Sequence, residues 1–435
     1  MIFGFYTLGC KVNQYETQAM EQLLRQEGHI VAPFSEKCDA YIINTCSVTA
    51  VADKKNRAII RRCRKSNPDA IIAVCGCYPQ RDEKAVAALE VDVIGGSSNR
   101  EAFLRDIMSV FQEKNAIYRV DNALKRQKFE ILPPGGLEER TRAMLKVQDG
   151  CQNFCTYCII PYTRGPIRSA SVELAVEQAK VLRDKGYKEI VITGIEIASW
   201  GRDLPEKPGL DVLLQALSAA VPEMRLRLGS LEPRIITPQF CQTIKALPNL
   251  CPHFHLSMQS GCDSVLKRMK RKYDTARYLE SVRLLNETFP DCAITTDMIV
   301  AFPGETEEEF AESLAFIQEC GFADMHIFPY SRRPGTPADK MPGQLDNDTK
   351  ELRSRKACAV AEKMTLSYRQ KLVGNTYDVL FEEREGEYCI GHTPNYVKVY
   401  LKFGQDLHNT VLPITPQELY KDGVLGVLSE PFENF

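Results

Sequence analysis

The chain has 435 residues, of which 44% are hydrophobic, and a formal net charge of −2. This length corresponds to about two to four domains of roughly 100–200 residues, and the apolar fraction is that of an ordinary globular protein. The balanced charge excludes nucleic-acid binding through overall basicity, so any such contact must come from local patches. No stretch approaches the roughly 20 apolar residues of a membrane span, and the N-terminal residues lack the pattern of a signal peptide.

Residues 1–120 alternate between short apolar strands and amphipathic helices. This alternation predicts an N-terminal domain built on an open, mostly parallel α/β sheet with helices on both faces. The predicted strands cover 2–6, 39–44, 70–74 and 91–94, and the predicted helices cover 14–26, 51–65, 81–89 and 100–113.

Three cysteines follow the first three predicted strands: Cys10, Cys46 and Cys77. Loops after the carboxyl ends of parallel strands converge on one sheet edge, so three thiols from three loops could hold an iron–sulfur cluster there. Cys75 competes with Cys77, because residues i and i+2 of a strand share a face. We favour Cys77, because it lies beyond the apolar run. Sixteen cysteines in a chain with no export signal favour metal ligation and reduced thiols, so we expect a cytoplasmic protein.

The helix that begins near Val51 carries seven basic residues between positions 54 and 65 but only one acid, Asp53. Such a run is usually a solvated helix face. Its position just after Cys46 also makes it a candidate patch for tracking phosphates. The sequence leaves both interpretations open.

Residues 121–140 are polar and include Pro133 and Pro134, which predicts a linker. Residues 141–345 then repeat a strand–helix unit six times, with helix caps expected at Ser171, Thr237 and Thr306. Six units predict a central, incomplete (β/α)6 TIM-like barrel, in which chemistry is carried by the loops after the strands.

The loop after the first barrel strand contains Cys151, Cys155 and Cys158, spaced C-x3-C-x2-C. Three thiolates on one loop can bind three irons of a cubane and leave the fourth iron open, unlike a four-cysteine electron-transfer site or a closed zinc site. This motif resembles that of the radical S-adenosylmethionine superfamily. The resemblance implies a [4Fe–4S] cluster whose open iron is chelated by S-adenosylmethionine, with Tyr157 near the adenine.

Polar residues or glycines stand after four further barrel strands, and the resemblance implies that they cradle S-adenosylmethionine. A carboxylate after a strand is also a common helix cap, which is the competing interpretation. The candidates are Gly194, Glu196, Ser230, Glu232, Gln259 and Asp297.

Basic residues near the cysteine loop are candidates for substrate binding. Arg164 and Arg168 follow the loop closely, and guanidinium groups suit phosphate or carboxylate recognition. Lys267, Arg268 and Lys270 belong to a basic run after the fourth barrel strand, on the face expected to carry the cysteines. This run is our preferred RNA-contact segment, and an exposed helix start is the alternative.

A linking helix is predicted at 346–372, and residues 373–435 show short β segments that predict a small C-terminal β-barrel. This region resembles the TRAM domain, an RNA-binding module. From residue 369 to the C-terminus there are six Lys and Arg but ten Asp and Glu. An acidic module is a poor general phosphate binder, so any RNA contact there must be confined to one face.

A second resemblance rests on Thr7–Asn13 (TLGCKVN), Asn44–Val48 (NTCSV) and Gly76-Cys77. These segments resemble the N-terminal domain of the methylthiotransferases, in which the three cysteines bind an auxiliary [4Fe–4S] cluster that supplies or carries the sulfur. The resemblance therefore implies two clusters, S-adenosylmethionine, an external electron donor and a sulfur donor, with no role for a membrane.

The stretch from Gly9 to Glu16 resembles the subgroup that acts on N6-threonylcarbamoyladenosine at position 37 of tRNA and makes its 2-methylthio derivative. The alternatives are methylthiolation of isopentenyladenosine in tRNA or of a ribosomal-protein aspartate. A more remote alternative is a non-enzymatic iron–sulfur protein that binds RNA.

Overall fold

The computed structural model describes residues 1–135 and 141–430. The last five residues of the predicted linker and the last five of the chain therefore lie outside the described residues. The α/β class and the three predicted architectural parts are confirmed: a parallel sheet, a six-stranded partial barrel and a closed small barrel.

The N-terminal domain is a six-stranded sheet in the order β2-β1-β3-β4-β5-β6, and all of its neighbouring strands are parallel. The two central strands, β3 and β4, are buried along their whole length because helices cover both faces. The elements are β1 Ile2–Thr7, α1 Lys11–Gln26, β2 Ile30–Ala32, β3 Ala40–Thr45, α2 Ala50–Ser66, β4 Ile71–Gly76, α3 Cys77–Arg81, α4 Glu83–Ala87, β5 Val93–Gly95, α5 Arg100–Glu113 and β6 Ile117–Arg119.

The central domain contains six parallel strands in two halves, β11-β10-β7 and β12-β13-β14, which isolated bridges join between Leu226 and Leu250 and between Leu231 and Leu256. The predicted caps are confirmed: Ser171 and Thr237 accept from backbone N–H groups, and Thr306 forms a capping box with Glu309. The elements are β7 Arg142–Lys146, β8 Gln148–Asp149, α6 Ile160–Arg164, β9 Arg168–Ser169, α7 Val172–Asp184, β10 Glu189–Thr193, α8 Leu210–Ala220, β11 Arg225–Leu228, α9 Pro238–Lys245, β12 His253–His255, α10 Asp263–Arg268, α11 Thr275–Thr288, β13 Ala293–Val300, α12 Glu307–Cys320 and β14 Asp324–Pro329.

The C-terminal part begins with a 26-residue helix and ends in a closed five-stranded barrel of order β15-β16-β17-β19-β18. This small barrel docks on the N-terminal ends of the central strands. Arg142 pairs with Glu382 at 2.6 Å, and Arg227 donates to the carbonyl oxygen of Pro394 at 2.8 Å. The elements are α13 Asn347–Leu372, β15 Tyr377–Glu385, β16 Tyr388–His392, β17 Lys398–Lys402, β18 Val411–Tyr420 and β19 Gly423–Leu428.

A buried ion network joins the N-terminal domain to the central barrel. Glu16 of α1 pairs with Arg100 at 2.7 Å and with Lys146 at 3.1 Å, and it also pairs with Arg164. All four side chains are fully buried. Burial alone would raise the pKa of Glu16, but Arg100, Arg164 and Lys146 together hold it well below its usual range. The carboxylate is thus a fixed negative centre at the interface.

Candidate active site

The loop with the C-x3-C-x2-C motif follows β8 at the carboxyl end of the barrel. Gly150 enters it with φ 79°, and a Cβ there would lie 1.9 Å from the carbonyl oxygen of Pro166, so only glycine allows this approach. Cys151 N–H donates to the Gly165 carbonyl at 3.0 Å, and Cys158 N–H donates to the Cys155 carbonyl at 3.0 Å. The loop is therefore held by its own backbone and by the segment after it.

The three thiols of this loop lie within electrostatic range of one another. Burial raises the pKa of Cys151 to about 11, and burial together with Cys155 raises the pKa of Cys158 to about 12. A guanidinium nitrogen of Arg271 lies 3.3 Å from the sulfur of Cys155 and 3.5 Å from the hydroxyl oxygen of Tyr157. A donor set of three thiols on the wall of one cavity, beside a cation, fits an electron-rich cluster bound through thiolates.

One cavity is shared by these thiols and by most of the residues that the sequence assigned to S-adenosylmethionine. Its predicted lining residues are Cys151, Cys155, Tyr157, Cys158, Glu196, Ser230, Glu232 and Gln259, and Arg271 is an additional lining residue. Gly194 and Asp297 lie outside this lining. A Cβ at Gly194 would approach the carbonyl oxygen of Gln148 to 2.9 Å, so this glycine serves close packing, whereas Asp297 pairs with His255 at 3.3 Å.

Glu196 carries a carboxylate of which one oxygen lacks a donor, although Ser199 hydrogen-bonds to the group. Its Oε1 atom is buried and has no hydrogen-bond partner among the described residues. Burial, and secondarily Glu232, raises the pKa of Glu196 to about 7. Glu232 is already paired with Arg234 at 2.8 Å. A buried carboxylate oxygen without a donor on the cavity wall fits the ammonium group of an amino-acid ligand such as S-adenosylmethionine.

Gln259 lies on the same wall in a strained backbone conformation. Its φ is 72°, which is uncommon for a residue with a side chain. Backbone hydrogen bonds with Asp297 at 2.9 Å and with Ile299 at 2.8 Å hold it against β13. The strain is thus maintained by the neighbouring strand, and it is located on the cavity wall.

The second thiol triad forms where β1, β3 and β4 end. A Cβ on Gly9, whose φ is 120°, would lie 2.9 Å from Cys46 Cβ, so the loop of Cys10 passes directly against Cys46. Burial and the nearby thiol of Cys77 raise the pKa of Cys46 to about 12, and burial likewise raises that of Cys10, with Cys77 contributing. The structure therefore brings together the three cysteines predicted for an auxiliary cluster.

Cys75 is not part of this group. It is fully buried in the core beneath α5, where it packs with Phe103 and Ile107. Gly76 breaks the strand with φ 101°, and Cys77 begins helix α3, so the two cysteines no longer share a face. The structure thus places Cys77, and not Cys75, with Cys10.

The triads differ from a site for one metal ion. Among residues 1–135 and 141–430, no three His, Cys, Asp or Glu side chains converge on one ion position. A cubane does not require such convergence, because each thiolate binds a different iron. The lack of a common ion position among the described residues therefore does not count against a cluster at either triad.

The two triads are adjacent in space. Helix α6 begins two residues after Cys158 and packs against α3, the helix that begins at Cys77. Arg164, the last residue of α6, donates to Asn13 Oδ1 at 2.6 Å, and Asn13 in turn donates to the carbonyl oxygen of Thr45 at 3.0 Å. The elements that carry the two triads are thus fixed to each other by direct contacts.

Arg164 and Arg168 are not positioned for substrate. Arg164 is fully buried in the ion network with Glu16. Arg168 is 2% exposed, donates to the carbonyl oxygens of Arg164 and Pro166 and lies 3.2 Å from Asp149. Because these guanidinium groups are already committed within the protein, the proposed contact with a substrate phosphate or carboxylate is not retained for either.

The basic run after β12 divides into three environments. Lys267 and Lys270 are exposed. Arg268 is held by Glu309 through hydrogen bonds of 2.6 and 2.8 Å. Arg271 turns inward to Cys155, a location that nothing in the sequence distinguished from its neighbours. An RNA contact here therefore rests on the lysines, and Arg271 belongs to the cluster site.

Helix α2 presents a second basic surface. Its exposed cations have no hydrogen bond or ion pair within the described residues: Lys54, Lys55, Arg61, Arg62 and Lys65. Arg64, by contrast, is paired with Asp92 at 2.7 Å. The structure thus shows a cationic patch on α2 that faces solvent. Its position is compatible with both interpretations left open by the sequence, a solvated helix face and a contact with phosphates.

Comparisons with known proteins agree with this architecture. Residues 145–317 match the Radical SAM superfamily, and residues 3–96 match a family described as Uncharacterized protein family UPF0004. The radical S-adenosylmethionine methyltransferase TsrM from Kitasatospora setae shares the fold, with a TM-score of 0.57 and 13% identity over 78% of this chain and 77% of that one. A partial barrel with a thiol triad on its first loop thus defines a radical S-adenosylmethionine enzyme.

Similar relatives with assigned names indicate which kind of radical S-adenosylmethionine enzyme the chain resembles. The threonylcarbamoyladenosine tRNA methylthiotransferase MtaB of Bacillus subtilis is 39% identical over 94% of this chain and 92% of its own length. Its counterpart from Thermotoga maritima is 37% identical over 86% and 85%, respectively. The tRNA-2-methylthio-N(6)-dimethylallyladenosine synthase of Pelotomaculum thermopropionicum is 32% identical over 98% and 97%. The chain belongs to the radical S-adenosylmethionine methylthiotransferase family.

Proposed function

We propose that this enzyme transfers a methylthio group to C2 of N6-threonylcarbamoyladenosine at position 37 of tRNA. Relatives named for this reaction match nearly the whole chain at 33–39% identity, from Bacillus subtilis to Chlamydia pneumoniae. The observation that carries the proposal is the packing of α6 on α3. It fixes the Cys151, Cys155 and Cys158 loop beside the Cys10, Cys46 and Cys77 triad, which supports an enzyme that joins radical generation to sulfur transfer on one substrate.

The cofactors are two [4Fe–4S] clusters and S-adenosylmethionine. When bound, they supply the electron, the hydrogen-abstracting radical and the sulfur that side chains alone cannot provide. We assign Cys151, Cys155 and Cys158 to the radical cluster and Cys10, Cys46 and Cys77 to the auxiliary one.

The protein side chains position and shield these groups. Arg271 faces the sulfur of Cys155 and the hydroxyl of Tyr157, where its charge balances the thiolates. Glu196 presents its free carboxylate oxygen to the amino-acid part of S-adenosylmethionine. Ser230 and Gln259 complete the wall on the adjacent strands.

The tRNA partner meets two cationic surfaces in this proposal, the exposed face of α2 and the pair Lys267 and Lys270. Lysines that contact phosphates position an RNA without specifying its bases. A single-stranded anticodon loop can splay its base into the barrel mouth. An external electron donor and a sulfur donor complete the proposed set of partners.

The described residues contain no helix that is both long and apolar enough to cross a bilayer. We propose the cytoplasm as the place of action, because that is where the proposed tRNA substrate is found.

The test offers two anticodon stem-loops to the anaerobically reconstituted enzyme. One carries threonylcarbamoyladenosine and the other carries dimethylallyladenosine at position 37. We expect the 2-methylthio product, detected by nucleoside mass spectrometry, from the first alone. Product only from the second would assign the enzyme to the dimethylallyladenosine synthases, and turnover only on a ribosomal-protein aspartate would refute the RNA substrate.

A further inference from the structure

The segment that follows the last barrel strand contacts the parts of the chain that carry both cysteine triads. It covers residues 330–338, and we call it the β14 segment. The N–H of Ala338 donates to the carbonyl oxygen of Thr156, inside the C-x3-C-x2-C loop, at 2.9 Å. The hydroxyl oxygen of Ser331 accepts from the N–H of Ala50, at the start of α2, at 3.0 Å. The barrel and the N-terminal domain are thus joined by this segment close to both triads.

Arg333 of the β14 segment is buried against the N-terminal domain, with 2% exposure. Its Nε atom donates to the carbonyl oxygen of Val48 at 3.0 Å, and its Nη1 atom donates to Asp53 at 2.8 Å. The hydroxyl group and the backbone N–H of Thr336 donate to the carbonyl oxygen of Arg333 at 2.8 and 3.1 Å. Contacts at both the backbone and the side-chain end therefore fix the guanidinium group.

The guanidinium group of Arg333 lies beside the loop of Cys46. Val48, which accepts from Nε, also donates its own N–H to the sulfur of Cys46 at 3.5 Å. Asp53, which accepts from Nη1, also accepts from the hydroxyl group of Ser47, the residue next to Cys46, at 3.1 Å. Two of the three nitrogens of Arg333 are thus bound to residues that contact Cys46 or its neighbour in the chain.

The third nitrogen of this guanidinium group has no acceptor. Nη2 of Arg333 is buried and has no hydrogen-bond partner within residues 1–135 and 141–430. Because the group is planar, the positions of Nε and Nη1 also fix that of Nη2. A buried, charged N–H that stays unpaired is unfavourable, and buried polar groups normally have partners. The geometry therefore suits an acceptor that a ligand supplies at the Cys46 loop.

One carboxylate is shared by two guanidinium groups beside this triad. Arg81 also donates to Asp53, at 2.8 Å, and the side chains of Arg81, Asp53 and Arg333 are all largely buried. The surplus positive charge suits an electron-rich ligand such as a cubane bound through thiolates. The other triad has a similar arrangement, because Arg271 lies 3.3 Å from the sulfur of Cys155.

We propose that Nη2 of Arg333 donates a hydrogen bond to a sulfur atom of the auxiliary cluster and thereby raises the reduction potential of that cluster. This inference rests on the proposed assignment of Cys10, Cys46 and Cys77 to a [4Fe–4S] cluster. A hydrogen bond from a cation stabilises the reduced cluster more than the oxidised one, because the added electron increases the negative charge on sulfur. The barrel domain, through Arg333, thus helps to set the potential of a cluster bound by the N-terminal domain.

The test uses the full chain with Cys151, Cys155 and Cys158 replaced by alanine, so that only the auxiliary cluster forms on anaerobic reconstitution. An iron content of about four atoms in this background tests the cluster assignment by itself. A titration with dithionite, followed by EPR, then measures the reduction potential. Arg333→Met should make one-electron reduction less favourable by about tenfold, the value of one charge-assisted hydrogen bond, which corresponds to a potential about 59 mV lower.

Arg332→Met is the matched control, because it removes the same charge from the neighbouring position. The side chain of Arg332 is 57% exposed and is held by Asp339 at 3.0 Å, so the potential should stay unchanged. Pulsed EPR on protein made with isotope-labelled arginine provides a second measurement. The reduced cluster should show coupling to an arginine nitrogen, which Arg333→Lys should abolish and Arg332→Lys should preserve.

Three results would overturn the inference: equal potentials in Arg333→Met and Arg332→Met, no arginine coupling in the background protein, or a coupling that persists in Arg333→Lys. The coupling measurement on Arg333→Lys keeps the positive charge, so it remains decisive if Arg333→Met does not fold. A background protein that binds no iron would instead refute the cluster assignment, so the two failures are distinguishable.

Discussion

The buried ion network between the N-terminal domain and the barrel provides the sharpest test of how the two triads are held together. Glu16→Gln removes the central negative charge while keeping the shape of the side chain. Lys146 and Arg164 would then share only Asp149, which lies 2.9 Å from Lys146 and 3.6 Å from Arg164. Arg100 would be left without a contacting carboxylate.

The magnitude follows from burial. Removing one partner of a buried ion pair costs about 3–5 kcal/mol, because the remaining charge stays desolvated. For a domain of about 150–250 residues, such as the central barrel, each kcal/mol of lost stability lowers Tm by roughly 2–4 °C. Glu16→Gln should therefore lower Tm by roughly 6–20 °C. Glu387→Gln is the matched control. Its partner Lys402 lies at 2.7 Å, but both side chains are more than half exposed, and such pairs contribute about 0–1 kcal/mol.

Thermal unfolding at neutral pH measures the effect. The pKa of Glu16 is lowered in the folded protein, so its stabilisation is complete above the unfolded value of about 4.3 and is lost only as pH falls through the lower folded value. The difference in Tm between wild type and Glu16→Gln should therefore shrink in strong acid. A Tm that falls no further than that of Glu387→Gln at neutral pH would refute the role of this network.

Two further predictions concern the auxiliary triad and the RNA surface. Cys77→Ala should lower the iron content of the reconstituted protein from about eight atoms to about four, whereas Cys75→Ala should retain it; the opposite result would exchange their roles. Neutralising Lys267 and Lys270 together should reduce the slope of log affinity against log salt for tRNA by about 2, because each lysine releases about one counterion. Lys402→Gln serves as the exposed-lysine control, and an unchanged slope in the double variant would exclude this segment from the RNA surface.

The order of elements was predictable because its signals are local. Apolar periodicity marked the long helices and central strands, and Ser171, Thr237 and Thr306 marked helix starts that the structure confirms. Two short strands of the N-terminal sheet were missed, β2 and β6. Both are three-residue edges of the sheet. Three residues are too few to show a hydrophobic periodicity, and the extended conformation of these strands comes from pairing with a neighbouring strand.

The basic residues show where local reasoning fails. Arg164, Arg268 and Arg271 have the same chemistry and similar settings in the sequence. In the fold, the first is fully buried with Glu16, the second is paired with Glu309 and the third faces the thiol of Cys155. Their partners lie between 41 and 148 positions away in the chain, so no local pattern could separate them.

By itself, the sequence determined the two sets of cysteines and the elements that carry them, because ligand spacing on one loop and positions after strands are properties of neighbouring residues. Only the tertiary structure decided between Cys75 and Cys77, since that choice depends on the break at Gly76 and on the core that encloses Cys75. It also removed Arg164 from the expected substrate contacts, because that guanidinium is buried against Glu16, which lies 148 positions away in the chain.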